Sequence, residues 1–151
     1  MIRRLFVFMV MAALMCSIVG AAAAQEKAAD VVAAKAKEAV TAARSAIKIV
    51  SAADVKKAID SKEKAVYLDV RDPGEFNAGH LPGAVNVSRG TLEFRVAGSI
   101  ADLDAKIYVY CATTMRSALA TKTLNDLGYK NAVFMDAPYA DWVKAGYPVA
   151  R

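Results

Sequence analysis

Two short runs in this chain are apolar on both faces. Ala65-Val66-Tyr67-Leu68-Asp69-Val70 and Lys106-Ile107-Tyr108-Val109-Tyr110 are rich in β-branched and aromatic residues. A strand that alternated apolar and polar residues would expose one face to water; these do not alternate, so they read as strands buried on both sides. That is the signature of a mostly parallel sheet covered by helices. The segments between support it. Ser51 and Asp54 form a capping-box pattern opening a helix that runs to about Ile59, with Val55 and Ile59 on one face. Asp72 and Pro73 suit the N-cap and first position of a short helix to Ala78. Ala120, Thr123, Leu124 and Leu127 recur at spacings of three and four and predict a helix over 117–127, stopped by Gly128. Short strands are expected at 48–50, 84–87 and 132–135, a helical turn at 90–95 leading through Val96–Ala105 back to the 106–110 strand, and a last helix at 139–145 carrying Trp142. Strands alternating with helices argue an α/β fold with a mainly parallel central sheet flanked by helices.

The chemistry concentrates where the second central strand ends. Cys111-Ala112-Thr113-Thr114-Met115-Arg116 follows it directly and leads into a helix. Loops at the carboxyl ends of sheet strands are where α/β folds bind ligands. Backbone N–H groups of such a loop converge and favour negative charge, on a bound anion or on the cysteine sulfur. Arg116 adds a fixed cation with a planar fork of donors. A lone cysteine at a strand end is commonly a small buried hydrophobe. Here small polar residues and an arginine follow it, which is not how a core continues, so Cys111 reads as a nucleophile facing an anionic substrate.

Composition sets the remaining bounds. The chain has 151 residues and is 56% hydrophobic, and part of the excess lies at the start. Arg3 and Arg4, then the apolar run Leu5–Val19, then small residues to Ala24, make the three-part pattern of a signal peptide. The run is shorter than the ~20 residues of a spanning helix; an uncleaved anchor is the alternative. Met15 before Cys16 speaks against a lipid anchor. Removing residues 1–24 takes two of 20 basic residues and none of 15 acidic ones, so net charge falls from +5 to +3. That mild excess gives no case for nucleic-acid binding. Residues 25–47 form an Ala-rich leader with a thin apolar stripe of Val31, Ala34, Val40 and Ile47: a spacer, a partner helix, or a solvated helix with no specific task. The compact domain is expected over 48–151, in a periplasmic or secreted protein without stable membrane insertion after cleavage. The mature chain would keep only Cys111, so no internal disulfide can form. The single histidine, His80, makes a metal site improbable, and it is expected to hold its turn rather than to pair with Cys111.

Across 48–151 the chain resembles a single-domain rhodanese. Tyr67-Leu68-Asp69-Val70-Arg71 with Glu75-Phe76, then Gly79-His80-Leu81-Pro82-Gly83-Ala84-Val85-Asn86-Val87, then Tyr108-Val109-Tyr110-Cys111 with Arg116-Ser117, and finally Trp142 with Gly146-Tyr147-Pro148-Val149 carry the resemblance in order. With the leader, it is similar to small periplasmic rhodaneses of the phage-shock type. The resemblance implies a sulfurtransferase: Cys111 takes sulfane sulfur from a small anionic donor such as thiosulfate as a persulfide and passes it to cyanide or a thiol. Backbone amides of Ala112, Thr113, Thr114, Met115 and Arg116 would cradle the anion, Arg116 would help bind it and orient the loop, and no cofactor or metal is needed. Asp69 and Arg71 would lend supporting hydrogen bonds, or form a strand-end salt bridge with no part in turnover. Cys111 to Arg116 is six residues, as in sulfurtransferases, where related phosphatases have one more. The alternative is a non-enzymatic rhodanese-fold module that binds a partner or senses redox state. Two departures stand out: Thr114 where the family often has Gly, predicting strain or a different bend, and Ala137-Pro138 where a Gly pair is common.

Overall fold

A computed structural model describes residues 25–151. Residues 25–45 are helical (α1), and residues 25–38 are exposed throughout. No helix among the described residues is long and apolar enough to cross a membrane. Ala39–Arg151 forms a compact unit of its own. In it the buried leader residue is Ala43, outside the stripe expected from the sequence, and Arg44 pairs with Asp136 while its guanidinium lies 5.0 Å from the Phe134 ring centre.

The rest of that unit runs β1 (Ile49–Val50), α2 (Ala52–Asp60), β2 (Val66–Asp69), α3 (Pro73–Ala78), β3 (Val85–Asn86), a 3₁₀ turn (Arg89–Thr91), α4 (Leu92–Ser99), β4 (Ile107–Tyr110), α5 (Met115–Asp126), β5 (Ala132–Met135) and α6 (Tyr139–Lys144). The five strands form one sheet in the order β1-β5-β4-β2-β3, and every pairing is parallel. Both runs that opened the sequence argument are interior: β2 and β4 pair with each other along Val66–Asp69 and Ile107–Tyr110.

Successive strand residues feed two separate cores, as the twofold repeat of a strand requires. Leu68, Ile107 and Val109 pack with Leu92 and Val96 of α4 and Ala120 and Leu124 of α5. Tyr67, Tyr108 and Tyr110 pack on the other face with Val55 and Ala58 of α2 and Trp142 of α6. Leu68, Val109 and Leu124 have no exposed surface, and burial of such a side chain is worth about 1.5–3 kcal/mol each.

Three local expectations change. The helical turn after Gly90 continues to Ser99 because Leu92 and Val96 both reach the core. The helix after the cysteine loop starts at Met115, two residues before the expected start. Its buried face is Ser117, Ala118, Ala120, Thr121 and Leu124, while Leu127 is 44% exposed. Two polar residues can face inward there because Thr121 Oγ1 donates to Ser117 O at 2.8 Å and Ser117 is itself bonded at the loop. Other details agree with the sequence. Ser51 Oγ accepts from Asp54 N and Asp54 Oδ2 accepts from Ser51 N, and Gly128 adopts φ +104° after α5.

Candidate active site

β4 ends at Tyr110 and α5 begins at Met115, so four residues must turn a strand into a helix. The turn is made at Thr114, whose φ of +81° and ψ of −24° place it in the left-handed region. That region crowds the Cβ of an L-residue, and a β-branched one most. The strain foreseen at this position is therefore present, and the Thr114 hydroxyl makes no capping bond that would offset it.

The turn wraps the loop around Cys111. Its Sγ is fully buried and receives two donors from one residue, Ser117 N and Ser117 Oγ, each at 3.3 Å. The Ser117 hydroxyl also lies 3.0 Å from Thr114 O. It has one proton, so it can serve the sulfur or the carbonyl but not both at once. None of the N–H groups of Ala112, Thr113, Thr114, Met115 and Arg116 donates to a protein acceptor among the described residues. They are left free by geometry: the first amides of a helix have no carbonyl one turn back. The loop that follows the sulfur thus carries five unspent backbone donors, the resource an anion site needs.

Arg116 reaches away along the loop's outer side. Its guanidinium meets Glu75 through both ends, Nη1–Oε2 at 2.9 Å and Nη2–Oε1 at 3.0 Å, and approaches Asp72 at 3.4 Å. This fork-to-fork pairing fixes the loop against the start of α3. The hydrogen bond from Arg116 holds the Glu75 carboxyl below its ordinary range against the opposing effect of burial. Glu75 in turn raises Arg116, helped by the charges of Cys111 and Asp72. Asp72 sits at the N-cap position of α3, but its carboxylate is drawn sideways to Ser88 Oγ at 2.9 Å and to Arg116.

Asp69 and Arg71 form a buried ion pair one strand over. Arg71 Nε bonds both Asp69 oxygens at 3.0 and 2.9 Å, and Nη2 bonds Asp69 Oδ2 at 2.6 Å and Gly79 O at 2.7 Å. Burial opposes the Arg71 charge, yet Asp69 more than compensates and the pKa is raised. The guanidinium lies 3.9 Å from the centre of the Tyr139 ring, and Tyr139 N donates to Cys111 O at 3.1 Å. The pair therefore touches the loop's backbone at one remove, through Tyr139. Tyr110, whose hydroxyl burial holds protonated, accepts from Leu81 N at 3.1 Å and packs on Tyr139. His80 is committed elsewhere. Its Nδ1 lies 3.0 Å from Phe76 O, its ring stacks on Phe76, and it exchanges backbone hydrogen bonds with Ala150. Among the described residues no group of three His, Cys, Asp or Glu side chains converges to hold a metal.

Sequence reasoning singled out Cys111 through Arg116 and the Asp69–Arg71 pair. It gave no site role to Ser117 or Glu75, and read Asp72 only as the N-cap of α3. Ser117 was findable as the third residue of the helix, whose free amide must point back at the loop. The Glu75–Arg116 pair joins residues 41 apart in sequence, which no local pattern reveals.

The profile of the rhodanese-like domain matches residues 51–145. The thiosulfate sulfurtransferase GlpE of Pseudoalteromonas translucida is 30% identical over 100 residues, 66% of this chain and 92% of that protein. YrkF of Bacillus subtilis, named for a sulfur-carrier role, is 33% identical over 98 residues, 65% of this chain, and this chain spans only 52% of its length. A Rhodopseudomonas palustris protein, RPA3614, described as a "possible tyrosine phosphatase", superposes with a TM-score of 0.71 at 32% identity, covering 76% of this chain and 93% of its own.

Proposed function

The chain belongs to the rhodanese-like domain family, and we propose that within it this protein is an extracytoplasmic sulfurtransferase acting through a Cys111 persulfide. The observation that carries the reading is the sulfur itself, held by Ser117 N–H and Oγ and followed by five unspent backbone donors. The Cys111 thiolate attacks the outer sulfur of thiosulfate. The S–S bond of the donor breaks, its electron pair leaves with sulfite, and Cys111 carries the transferred sulfur. Free loop amides receive the charge on that outer sulfur, and Ser117 keeps its donors on Sγ. Cyanide or a thiolate then attacks the outer sulfur, forming thiocyanate or a new persulfide and returning Cys111 as thiolate. Arg116, bound to Glu75 and Asp72, holds the loop in shape and contributes positive charge to it. Asp69 and Arg71 position Tyr139 against the Cys111 carbonyl. The six-residue loop suits sulfur better than the phosphate of a phosphatase. Export rests on the signal-like residues 1–24, which lie outside the described residues, and would place the domain beside the small periplasmic rhodaneses.

A non-enzymatic module that binds a partner or senses redox state is the second reading, favoured by the complete burial of Cys111. Intact mass separates the two. Thiosulfate should add one sulfur atom (about 32 Da), cyanide should remove it, and Cys111→Ser should show neither change. Arg116→Ala should lose most thiosulfate turnover with the fold retained. A chain that accepts sulfur from no donor would move the binding module ahead.

A further inference from the structure

The described residues hold three sulfur atoms, in Cys111, Met115 and Met135, and these differ sharply in access. Cys111 and Met135 have no exposed surface, whereas Met115 is 52% exposed. Met115 packs in neither core. It is the first residue of α5, between Thr114, which makes the turn, and Arg116, which is pinned to Glu75 and Asp72. Sulfur transfer draws on its amide and not on its side chain.

The position is one that ordinarily takes an acid. The first turn of a helix favours Asp and Glu, whose oxygens face its free N–H groups, yet the first turn of α5 carries neither. An acidic side chain there would compete with a bound anion for the donors of the loop. The thioether leaves them open: the amides of Ala112 to Arg116 meet no protein acceptor among the described residues. Oxidation reverses this. A sulfoxide is polar, and its oxygen is a strong acceptor on a side chain with three rotatable bonds. It can fold back on the amides of its own turn as an acidic residue would.

We propose that Met115 is a reversible oxidation site, and that its sulfoxide, formed by hypochlorous acid, occupies loop N–H groups and keeps out the anionic sulfur donor. The effect on turnover rests on the sulfurtransferase reading; the modification does not. The Met115 sulfur gives two electrons to the chlorine of hypochlorous acid. An S–O bond forms, and chloride and a proton leave. A dithiol reductase reverses the step: the oxygen leaves as water and the two thiols become a disulfide. Hypochlorous acid reacts fast with thiols and thioethers alike, so access decides which sulfur it meets first.

The test treats the full chain with less than one equivalent of hypochlorite, quenches with free methionine, and maps peptides by mass. Met115 should gain about 16 Da, one oxygen atom, before Met135 or Cys111 changes. The oxidised chain should show a KM for thiosulfate raised about fivefold, the worth of one hydrogen bond, with kcat nearly constant. Methionine sulfoxide reductases A and B together, one for each epimer, should restore it. Met115→Leu keeps the amide and should hold its own starting KM through the same dose. In Cys111→Ser, which cannot react, oxidation should weaken thiosulfate binding by the same factor, a readout that needs no turnover. Modification of Cys111 or Met135 first, an unchanged KM and affinity after Met115 is oxidised, or a Met115→Leu chain that responds like wild type would each overturn the proposal. A chain that forms no persulfide from any donor, yet oxidises first at Met115 and then binds thiosulfate more weakly, would overturn the sulfurtransferase reading alone.

Discussion

Replacing Thr114 with glycine should stabilise the fold. Thr114 is held at φ +81°, a conformation that costs an L-residue about 1–2 kcal/mol. Its hydroxyl makes no capping hydrogen bond, so truncation gives up only the packing of a half-buried side chain. Glycine adopts the angle without strain but adds freedom to the unfolded chain, at about 0.5–1 kcal/mol. The balance favours Thr114→Gly by about 0.5–1 kcal/mol. Urea unfolding followed by circular dichroism measures it: the midpoint should rise while the slope stays constant, since the area exposed on unfolding is the same. Thr113 provides the contrast. Its φ is not positive, so Thr113→Gly relieves nothing and should lower stability by about 0.5–1 kcal/mol. A Thr114→Gly midpoint at or below wild type would refute the claim that the loop stores strain at this residue.

Two further predictions concern buried polar groups. Tyr67 carries a buried hydroxyl with no partner, so Tyr67→Phe should raise stability by about 1 kcal/mol, whereas Tyr110→Phe, which strands the Leu81 amide, should lower it by about 1–3 kcal/mol, both by urea unfolding. The Glu75–Arg116 pair should shape the acid limb. Glu75 is depressed from 4.5 by the Arg116 hydrogen bond, so its contribution is present above that value and fades as pH falls through the lower folded pKa. Glu75→Gln should therefore flatten the loss of stability below about pH 4.5, seen as a smaller drop in Tm between pH 5 and pH 3; an unchanged acid limb would mean the pair is worth nothing in solution.

What could be seen in the sequence, and what could not, divides along physical lines. β2 and β4 were visible because burial on both faces leaves an apolar run that survives any tertiary context, and Cys111 because its strand-to-helix position is local. The buried face of α5 was misjudged because Ser117 and Thr121 count as polar in any periodicity, yet here each is satisfied within the helix or at the sulfur. Leu127 fits the helical spacing of Ala120 and Leu124 yet stays exposed, because it lies at the C-cap of α5, where the chain is already turning towards Gly128. The extension of α4 to Ser99 was missed because Leu92 and Val96 are its only buried residues, too few for a periodic signal. The role of Glu75 was hidden by distance along the chain. Thr114 stands between these cases, since the residue type was recognised as wrong for the turn and only the fold showed that the turn was kept regardless.

The strand order also dictates when the Cys111 loop can be assembled. β5 lies between β1 and β4, and the paired residues Ile49 of β1 and Phe134 of β5 are 85 residues apart. On a ribosome, β1 can find its sheet neighbour β5 only after nearly the whole unit has emerged, because non-local closure must precede the contacts that reward it. Tyr139, whose amide seals the Cys111 carbonyl, arrives later still. A nascent chain that stops short of α6 thus carries the cysteine and its entire loop, but not the backing that holds them, and protein quality control would meet a thiol before it meets a folded loop.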